Sequence, residues 1–157
     1  MLHSALLPMT RIVDSIDIAA PPVEVFLFFV PQRMPYWYGS EMAAEFEVSG
    51  GEPDFAVSQK VRVSGKLGKK AVSHTAVITR YEWNRLLEWR FEDSYGVRGI
   101  ERWELTPTAS GTRVTMLSEY RMPDIFSRAA DWLLTRHAVK RRDGDYLARL
   151  RKYAERR

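Results

Sequence analysis

The sequence has no cysteine among its 157 residues. The chain therefore forms no disulfide, offers no thiolate to a metal and has no cysteine nucleophile. Histidine is nearly as scarce, with only His3, His74 and His137, so a histidine-rich metal site cannot be assembled. We expect neither a metal ion nor a cofactor. The lack of cysteine also fits a cytoplasmic protein, which is the location we predict.

Long hydrophobic runs are absent as well. The longest apolar run, VFLFFV from Val25 to Val30, is far too short to cross a bilayer. The first ten residues, MLHSALLPMT, lack the basic segment and the cleavage site of a signal peptide. We expect residues 1–157 to form a single domain, with residues 1–10 as a loose tail.

Positive charge is concentrated at one end of the chain. The net charge is +4, and the segment Arg136–Arg157 has nine Lys or Arg residues against three acidic ones. Such a segment can attract RNA or an anionic membrane surface, or it can simply be the solvated face of a helix. It lacks the interleaved exposed aromatics of single-strand binders, and we do not expect DNA binding.

The hydrophobic pattern changes twice along the chain. Residues alternate from Ile12 to Ile18, which predicts a first strand. A helix is then predicted in PPVEVFLFFVP, where prolines mark its beginning and its end. The segment QRMPYWYGS follows as a broken turn or short second helix. Six further segments in which apolar and polar residues alternate predict antiparallel strands of a sheet with one face exposed to solvent. A long helical pattern follows Pro123, and Gly144 predicts a bend or break between Arg142 and Asp145.

Four segments carry a resemblance to a known family. They are IDIAAPPVEVFLFFVPQRMPYWY, ITRYEWNRLLEWRFED, GIERWELTPTASGTRVTM and YLARLRKYAE. Together they resemble the START-related helix-grip superfamily, and within it the polyketide cyclase/dehydrase-like family, over Ile12 to Glu155. The resemblance implies an α+β helix-grip fold, in which a curved antiparallel sheet of about seven strands wraps round a long C-terminal helix. It also implies one or two short helices after the first strand, and a cavity between the sheet and the long helix.

A carboxylate interrupts an apolar row in the hairpin VRGIERWELTPTASGTRVTMLSEYRM. Glu101 shares its strand face with Val97, Gly99, Trp103 and Leu105. A four-residue TASG loop would pair Trp103 with Met116, Glu101 with Ser118, and Gly99 with Tyr120. On the other side, we expect Leu87, Trp89 and Phe91 to lie opposite Glu101, Gly99 and Val97. Gly99 between large aromatic residues indicates that space is needed there.

A lone buried carboxylate would cost several kcal/mol, so Glu101 must be paired, protonated or reached by water. It could bind the hydroxyl or carbonyl group of a ligand, or transfer a proton. Alternatively it is structural, held by Ser118, Tyr120 or an arginine such as Arg102. A β-bulge that turns the side chain outward is a further alternative.

His74 is the second polar residue in an inward-facing row. The turn YEWNR would place it near Asp93, and a histidine oriented by a carboxylate is a common acid–base arrangement. A histidine at the rim of the sheet without a chemical role is the alternative.

These observations predict a protein that binds a small, largely apolar molecule, such as a lipid, a polyketide or another aromatic or isoprenoid-like compound. A cyclase or dehydrase is the first alternative, with Glu101 or His74 removing a proton alpha to a carbonyl and Tyr120 stabilising the enolate. An interaction protein that uses its basic C-terminal helix is the second. The candidate ligand-binding residues are Trp37, Ile78, Trp89, Phe91, Gly99, Glu101, Trp103, Met116, Ser118, Tyr120 and Leu133.

Overall fold

A computed structural model describes residues 9–50, 54–124, 129–130 and 134–156. Over these residues the chain forms a curved antiparallel sheet and a long C-terminal helix, which confirms the predicted fold class. The prediction of a loose tail falls mainly on residues 1–8, which lie outside the described residues. The elements are β1 (Thr10–Ile18), α1 (Pro22–Val25), β2 (Glu45–Val48), β3 (Lys60–Leu67), β4 (Lys70–Glu82), β5 (Leu86–Asp93), β6 (Arg98–Thr108), β7 (Gly111–Arg121) and α2 (Arg136–Ala154).

The seven strands follow the order β1-β7-β6-β5-β4-β3-β2. Alternate side chains on each strand face α2, and those between them face solvent, so the sheet has a concave inner face and a convex outer face. Leu147 and Leu150 of α2 are buried in the core. The backbone N–H of Ala19, just after β1, donates to the Glu155 carboxylate at 2.7 Å and ties the end of α2 to the sheet. Within the described parts of the chain, no helix is both long and apolar enough to cross a membrane.

The predicted break in the final helix is wrong, because α2 continues through Gly144. A Cβ atom at Gly144 would lie 3.4 Å from Oδ2 of Asp14 on β1. This is an ordinary contact to the end of a side chain, so the position does not require glycine. The packing of α2 on β1 offsets the helix-weakening effect of the residue.

The helix predicted between Pro21 and Pro31 is shorter than expected. Only α1 is α-helical, and it continues into a 3-10 turn at Phe26–Phe28, followed by similar turns at Met34–Tyr36 and Ser40–Met42. Aromatic and β-branched residues lose side-chain freedom in a helix, and the prolines remove backbone donors. The turns instead bring large side chains into the core, where the fully buried ones include Phe26, Phe29, Trp37 and Tyr38.

Pairing between β6 and β7 agrees with the predicted register. Trp103 lies opposite Met116, Glu101 opposite Ser118, and Gly99 opposite Tyr120. The row of Glu101 therefore faces inward, as its alternation with Trp103 indicates.

Pairing between β5 and β6 differs from the prediction by two residues. Leu87, Trp89 and Phe91 lie opposite Trp103, Glu101 and Gly99. The cause is the turn after β5, where Oδ1 of Asp93 accepts hydrogen bonds from the backbone N–H groups of Tyr95 and Val97. This side chain–backbone turn fixes the loop length, so Trp89 lies directly beside Glu101.

The reason for glycine at position 99 also differs from the prediction. Gly99 does lie between Phe91 and Tyr120, but a Cβ atom there would overlap the backbone carbonyl of Glu119 on the neighbouring strand. Close approach of two backbones therefore requires the glycine.

We expect Gly99→Ala to lower the free energy of unfolding by about 2–3 kcal/mol, because β7 must shift to make room for the methyl group. Urea unfolding of the two proteins would measure the difference. Gly144→Ala is the control, and its effect should stay within about 1 kcal/mol. Equal effects of the two substitutions would contradict the backbone explanation.

Candidate functional site

Glu101 points from β6 into the interior, with only 2% of its surface exposed. Its Oε1 accepts hydrogen bonds from the Tyr38 hydroxyl at 2.7 Å and from Nε1 of Trp89 at 2.9 Å. Its Oε2 lies 3.1 Å from Nη2 of Arg142 on α2. The carboxylate is thus paired by an arginine from the long helix, and the outward-turned alternative is wrong.

Arg102, the arginine suggested by the sequence, has another partner. Its Nε donates to Glu88 at 2.7 Å, away from Glu101. Arg102 follows Glu101 on β6 and so points to the opposite face of the sheet, where it cannot reach the inward-facing carboxylate.

Arg142 joins two carboxylates. It also donates to Oδ1 of the adjacent Asp143, with Nη2 at 3.0 Å, and Oδ2 of Asp143 accepts a hydrogen bond from Ser118 Oγ at 2.6 Å. Ser118, which the sequence suggested as a partner of Glu101, therefore holds Asp143 instead. We call Glu101, Arg142 and Asp143 the charge cluster. It links β6, β7 and α2 through charge-assisted hydrogen bonds.

Burial and charge shift the titration of this region. Burial raises the pKa of Asp143 to about 6, although Arg142 opposes the shift. Burial and the negative charge of Glu101 also raise the pKa of the Tyr38 hydroxyl well above its usual range. Burial lowers the pKa of Arg142, but Glu101, Tyr146 and Asp143 more than offset this, and the net shift is upward. At neutral pH Tyr38 therefore remains a hydrogen-bond donor and Arg142 remains a cation.

A second polar link lies beside the cluster. The Tyr146 hydroxyl on α2 donates to the carboxylate of Glu41, in the turn Ser40–Met42, at 2.6 Å. The Arg142 guanidinium lies 5.4 Å from the centre of the Tyr146 ring, and this ring lies 4.9 Å from that of Tyr38. These contacts fix the helix against the turn that carries Tyr38.

A cavity of about 90 Å³ lies between β5–β7 and the first half of α2. Glu101, Ser118, Tyr120 and Arg142 line it on the inside. Its rim consists of less buried residues, of which Phe91, Val97, Met122 and Val139 are apolar and Asp93 and Thr135 are polar. The cavity therefore has a polar inner end and a mainly apolar opening.

The predicted ligand-binding residues divide into two groups. Phe91, Glu101, Ser118 and Tyr120 line the cavity, and Gly99 lies beside them on β6. Five others are packed in the core, outside the lining of this cavity, and their contact with a ligand stays a prediction; Leu133 lies outside the described residues. The five are Trp37, Ile78, Trp89, Trp103 and Met116.

A cluster of aromatic rings, packed edge to face, fills the middle of the core. The Trp89 ring lies 5.1 Å from that of Trp103 and 5.3 Å from that of Tyr38, with both pairs edge to face. Trp37 lies 5.8 Å from Trp103. This cluster occupies the space behind Glu101, so the cavity extends outward from the charge cluster toward α2 rather than deeper into the sheet.

His74 lies directly opposite Asp93, as predicted. Its Nε2 is 3.5 Å from the Tyr38 hydroxyl. Burial lowers the pKa of His74 to about 4, with the charge of Arg142 adding to the shift and Asp93 opposing it. The imidazole is therefore neutral at pH 7, and it does not line the cavity.

Sequence reasoning missed the partners that α2 supplies. Asp143 shares one helix face with Leu147 and Leu150, at the spacing i, i+4 and i+7. A carboxylate in an apolar helix stripe is the same signal that singled out Glu101 on its strand. Arg142 gave no such signal, because it is one of many basic residues in this segment.

Two core tryptophans differ in their hydrogen bonding. Trp89 donates to Glu101, whereas Nε1 of Trp103 has no hydrogen-bond partner among the described residues. We expect Trp89→Phe to lower the free energy of unfolding by about 1–2 kcal/mol more than Trp103→Phe, since only the first removes a bond to a charged acceptor. Chemical denaturation of both variants measures this difference. An equal loss would show that the bond to Glu101 adds no net stability.

Comparison with known proteins agrees with this architecture. A solved structure from Chromobacterium violaceum has 14% identity and a TM-score of 0.73, over 94% of this chain and 99% of that one. Ara h 8.0201 has 10% identity and a TM-score of 0.70, over 93% and 97% of the two chains. DynU16, a protein of the dynemicin biosynthetic locus, has 21% identity and a TM-score of 0.63, over 94% of this chain and 47% of that one.

At these identities the likeness concerns the fold. No curated protein sequence matches the chain. A family model described as "Polyketide cyclase / dehydrase and lipid transport" matches residues 9–155, which is nearly the whole sequence. The chain belongs to this polyketide cyclase/dehydrase and lipid transport family.

Proposed function

We propose that the protein binds a small, largely apolar molecule with one hydrogen-bonding group in the cavity between β5–β7 and α2. The observation that carries this proposal is the position of the charge cluster at the inner end of a cavity with a mainly apolar rim. Binding sites for small molecules combine apolar walls with a few fixed polar groups in this way.

The cluster retains unused hydrogen-bonding capacity, and both Glu101 and Arg142 line the cavity. A carboxylate has about four acceptor positions, and Glu101 uses two on Oε1 and one on Oε2. Arg142 donates from Nε and Nη2, while Nη1 has no partner among the described residues. A ligand hydroxyl can thus donate to Oε2 of Glu101 and accept from Nη1 of Arg142. A carbonyl oxygen can accept from Arg142 alone.

The cavity volume limits which part of a ligand lies inside. About 90 Å³ is smaller than the roughly 150 Å³ of an apolar cavity that admits benzene. The inner end therefore holds the polar group and the first few atoms of the ligand. The apolar remainder packs at the rim on Phe91, Val97, Met122 and Val139, which are partly exposed.

The geometry supports binding better than proton transfer. Glu101 already accepts three hydrogen bonds, one of them from Arg142, its ion-pair partner. His74, the other candidate base, does not line the cavity. A proton-transferring group must be within hydrogen-bonding reach of the reacting atom. His74 does not meet this requirement, and Glu101, which lines the cavity, already has three of its acceptor positions occupied.

Binding of 1-octanol tests the proposal, because this probe has one hydroxyl group and a flexible apolar chain. We expect Val139→Trp, which places a large ring in the cavity rim, to weaken octanol binding at least about tenfold. Ala148→Trp, on the exposed face of the same helix, is the matched control and should bind as the wild type does. Calorimetric titration of the three proteins measures the affinities. Equal affinity in all three, or no binding to the wild type, would contradict the proposal.

A further inference from the structure

A second concave surface lies on the convex face of the sheet, at the end where β5, β6 and β7 meet the following loops. This groove has a volume of about 580 Å³ and includes Arg90, Arg98 and Arg121. These arginines belong to the outward-facing rows, whereas Glu101 and Tyr120 belong to the inward-facing rows of the same strands. The arginines of the groove and the polar residues of the cavity thus lie on opposite faces of the sheet, although Met122 at the end of β7 lines both. The groove was not predicted from the sequence.

The charges in the groove are poorly balanced. Arg98 lies directly opposite Arg121 in the β6–β7 ladder, and like charges in such pairs are unfavourable. Arg98 forms an ion pair with Glu92 at 3.2 Å. Within residues 9–50, 54–124, 129–130 and 134–156, no carboxylate pairs with Arg90 or Arg121. The groove therefore holds three guanidinium groups and one carboxylate.

Arg121 shows the imbalance most clearly. Its Nε is buried, yet it has no hydrogen-bond partner in the described part of the chain. A buried N–H donor without an acceptor costs about 1–3 kcal/mol, and more when the group is charged. An oxyanion in the groove would reduce the repulsion between Arg98 and Arg121, and a small shift of the Arg121 side chain would let Nε donate to it.

The rest of the lining is apolar. Met9, Ile100 and Pro123 contribute hydrocarbon surface beside the arginines. The groove volume falls within the range of about 300–1,000 Å³ that is typical of small-molecule sites. A simple inorganic anion would leave this apolar surface uncovered, so the lining fits a larger molecule with a charged end.

We propose that the convex groove binds a small organic anion, with a carboxylate or phosphate group between Arg98 and Arg121 and an apolar body against Met9, Ile100 and Pro123. Arg90 adds positive charge at the edge of the site. This site is independent of the interior cavity, because its charged residues point away from α2. Guanidinium groups suit both oxyanions, since each can be held by paired N–H donors.

Three naphthalene compounds test this site in calorimetric titrations of the whole chain. They are naphthalene-1-carboxylate, 1-naphthyl phosphate and the neutral 1-naphthalenemethanol. We expect at least one anion to bind at least about tenfold more tightly than the neutral compound, with affinity falling as salt is added. The preferred anion identifies the oxyanion that the site takes. Equal binding of all three compounds, or no binding of either anion, would overturn the proposal.

Arg121→Gln should weaken anion binding about tenfold. Its thermal unfolding temperature should not fall, because the substitution removes an unpaired buried donor. Arg62→Gln is the matched control, as Arg62 is an exposed arginine on β3, outside the groove. Unchanged anion affinity in Arg121→Gln would overturn the assignment.

Methyl NMR separates the two sites. The anion should shift the methyl signals of Ile100, which lies in the groove, and leave those of Val139, which lies in the cavity, unchanged. Val139→Trp should retain anion binding even though it loses octanol binding. Anion-induced shifts confined to Val139 would contradict anion binding in the groove. They would leave the proposed function of the cavity intact.

Discussion

Replacing Glu101 by leucine is expected to lower the free energy of unfolding by about 3–5 kcal/mol. Among the described residues, the substitution leaves Asp143 as the remaining ion-pair partner of Arg142, and it removes the acceptor for Tyr38 and Trp89. Loss of one partner from a buried ion pair is costly because the remaining groups stay desolvated. Chemical denaturation at pH 7 measures the loss.

Glu104→Leu is the matched control for this prediction. Glu104 is on the same strand but faces outward and is exposed, so its replacement should change the free energy of unfolding by about 0.5 kcal/mol or less. The double replacement Glu101→Leu with Arg142→Leu should recover part of the loss, since no uncompensated arginine remains in the cluster. A loss in Glu101→Leu no larger than in Glu104→Leu would contradict the role of the ion pair.

Two titrating groups should make opposite contributions to stability in mild acid. The pKa of His74 is lowered to about 4, so the unfolded chain binds a proton near pH 6.5 that the folded chain does not yet bind. The stability that His74 contributes is therefore lost as the pH falls from about 6.5 to 4. The pKa of Asp143 is raised to about 6, so the folded chain takes up its proton first and gains stability as the pH falls from 6 to 4.

Variants at these positions separate the two contributions. Between pH 7 and pH 4, wild type should lose about 2–3 kcal/mol of stability relative to His74→Gln and gain about 2–3 kcal/mol relative to Asp143→Asn. Urea unfolding as a function of pH measures both differences. Glu104→Gln, at an exposed position of β6, is the control, and its stability should change with pH as that of the wild type does. If the free energy of unfolding changed with pH in the same way for wild type and His74→Gln, the lowered pKa of His74 would be contradicted.

Much of the fold could be predicted because it follows from local patterns. Strand alternation placed Glu101 on the inner face. The predicted four-residue loop TASG is a two-residue turn, because Thr108 pairs with Gly111, but the register is the same and brings Glu101 opposite Ser118. The resemblance of the sequence to the family supplied the curvature of the sheet and the position of the long helix. These features depend on chain segments that are close in sequence or shared by relatives.

The partners of Glu101 could not be predicted in the same way. Tyr38 and Arg142 lie 63 and 41 residues away in the sequence, and only the packing of α2 and the 3-10 turns brings them together. The β5–β6 register was missed because a single side chain, Asp93, sets the length of that turn. The convex groove has no periodic signal, since exposed arginines on strands are ordinary surface residues.

The most direct test of the cavity proposal is an NMR measurement of contacts between 1-octanol and the protein. We expect nuclear Overhauser effects from the hydroxymethyl protons of octanol to Ser118 and Tyr120, and from its chain to Val97 and Val139. This pattern would place the polar group at the charge cluster and the chain at the apolar rim. Contacts restricted to Ile100 on the convex face, or to exposed residues of α2 such as Ala148, would contradict the account.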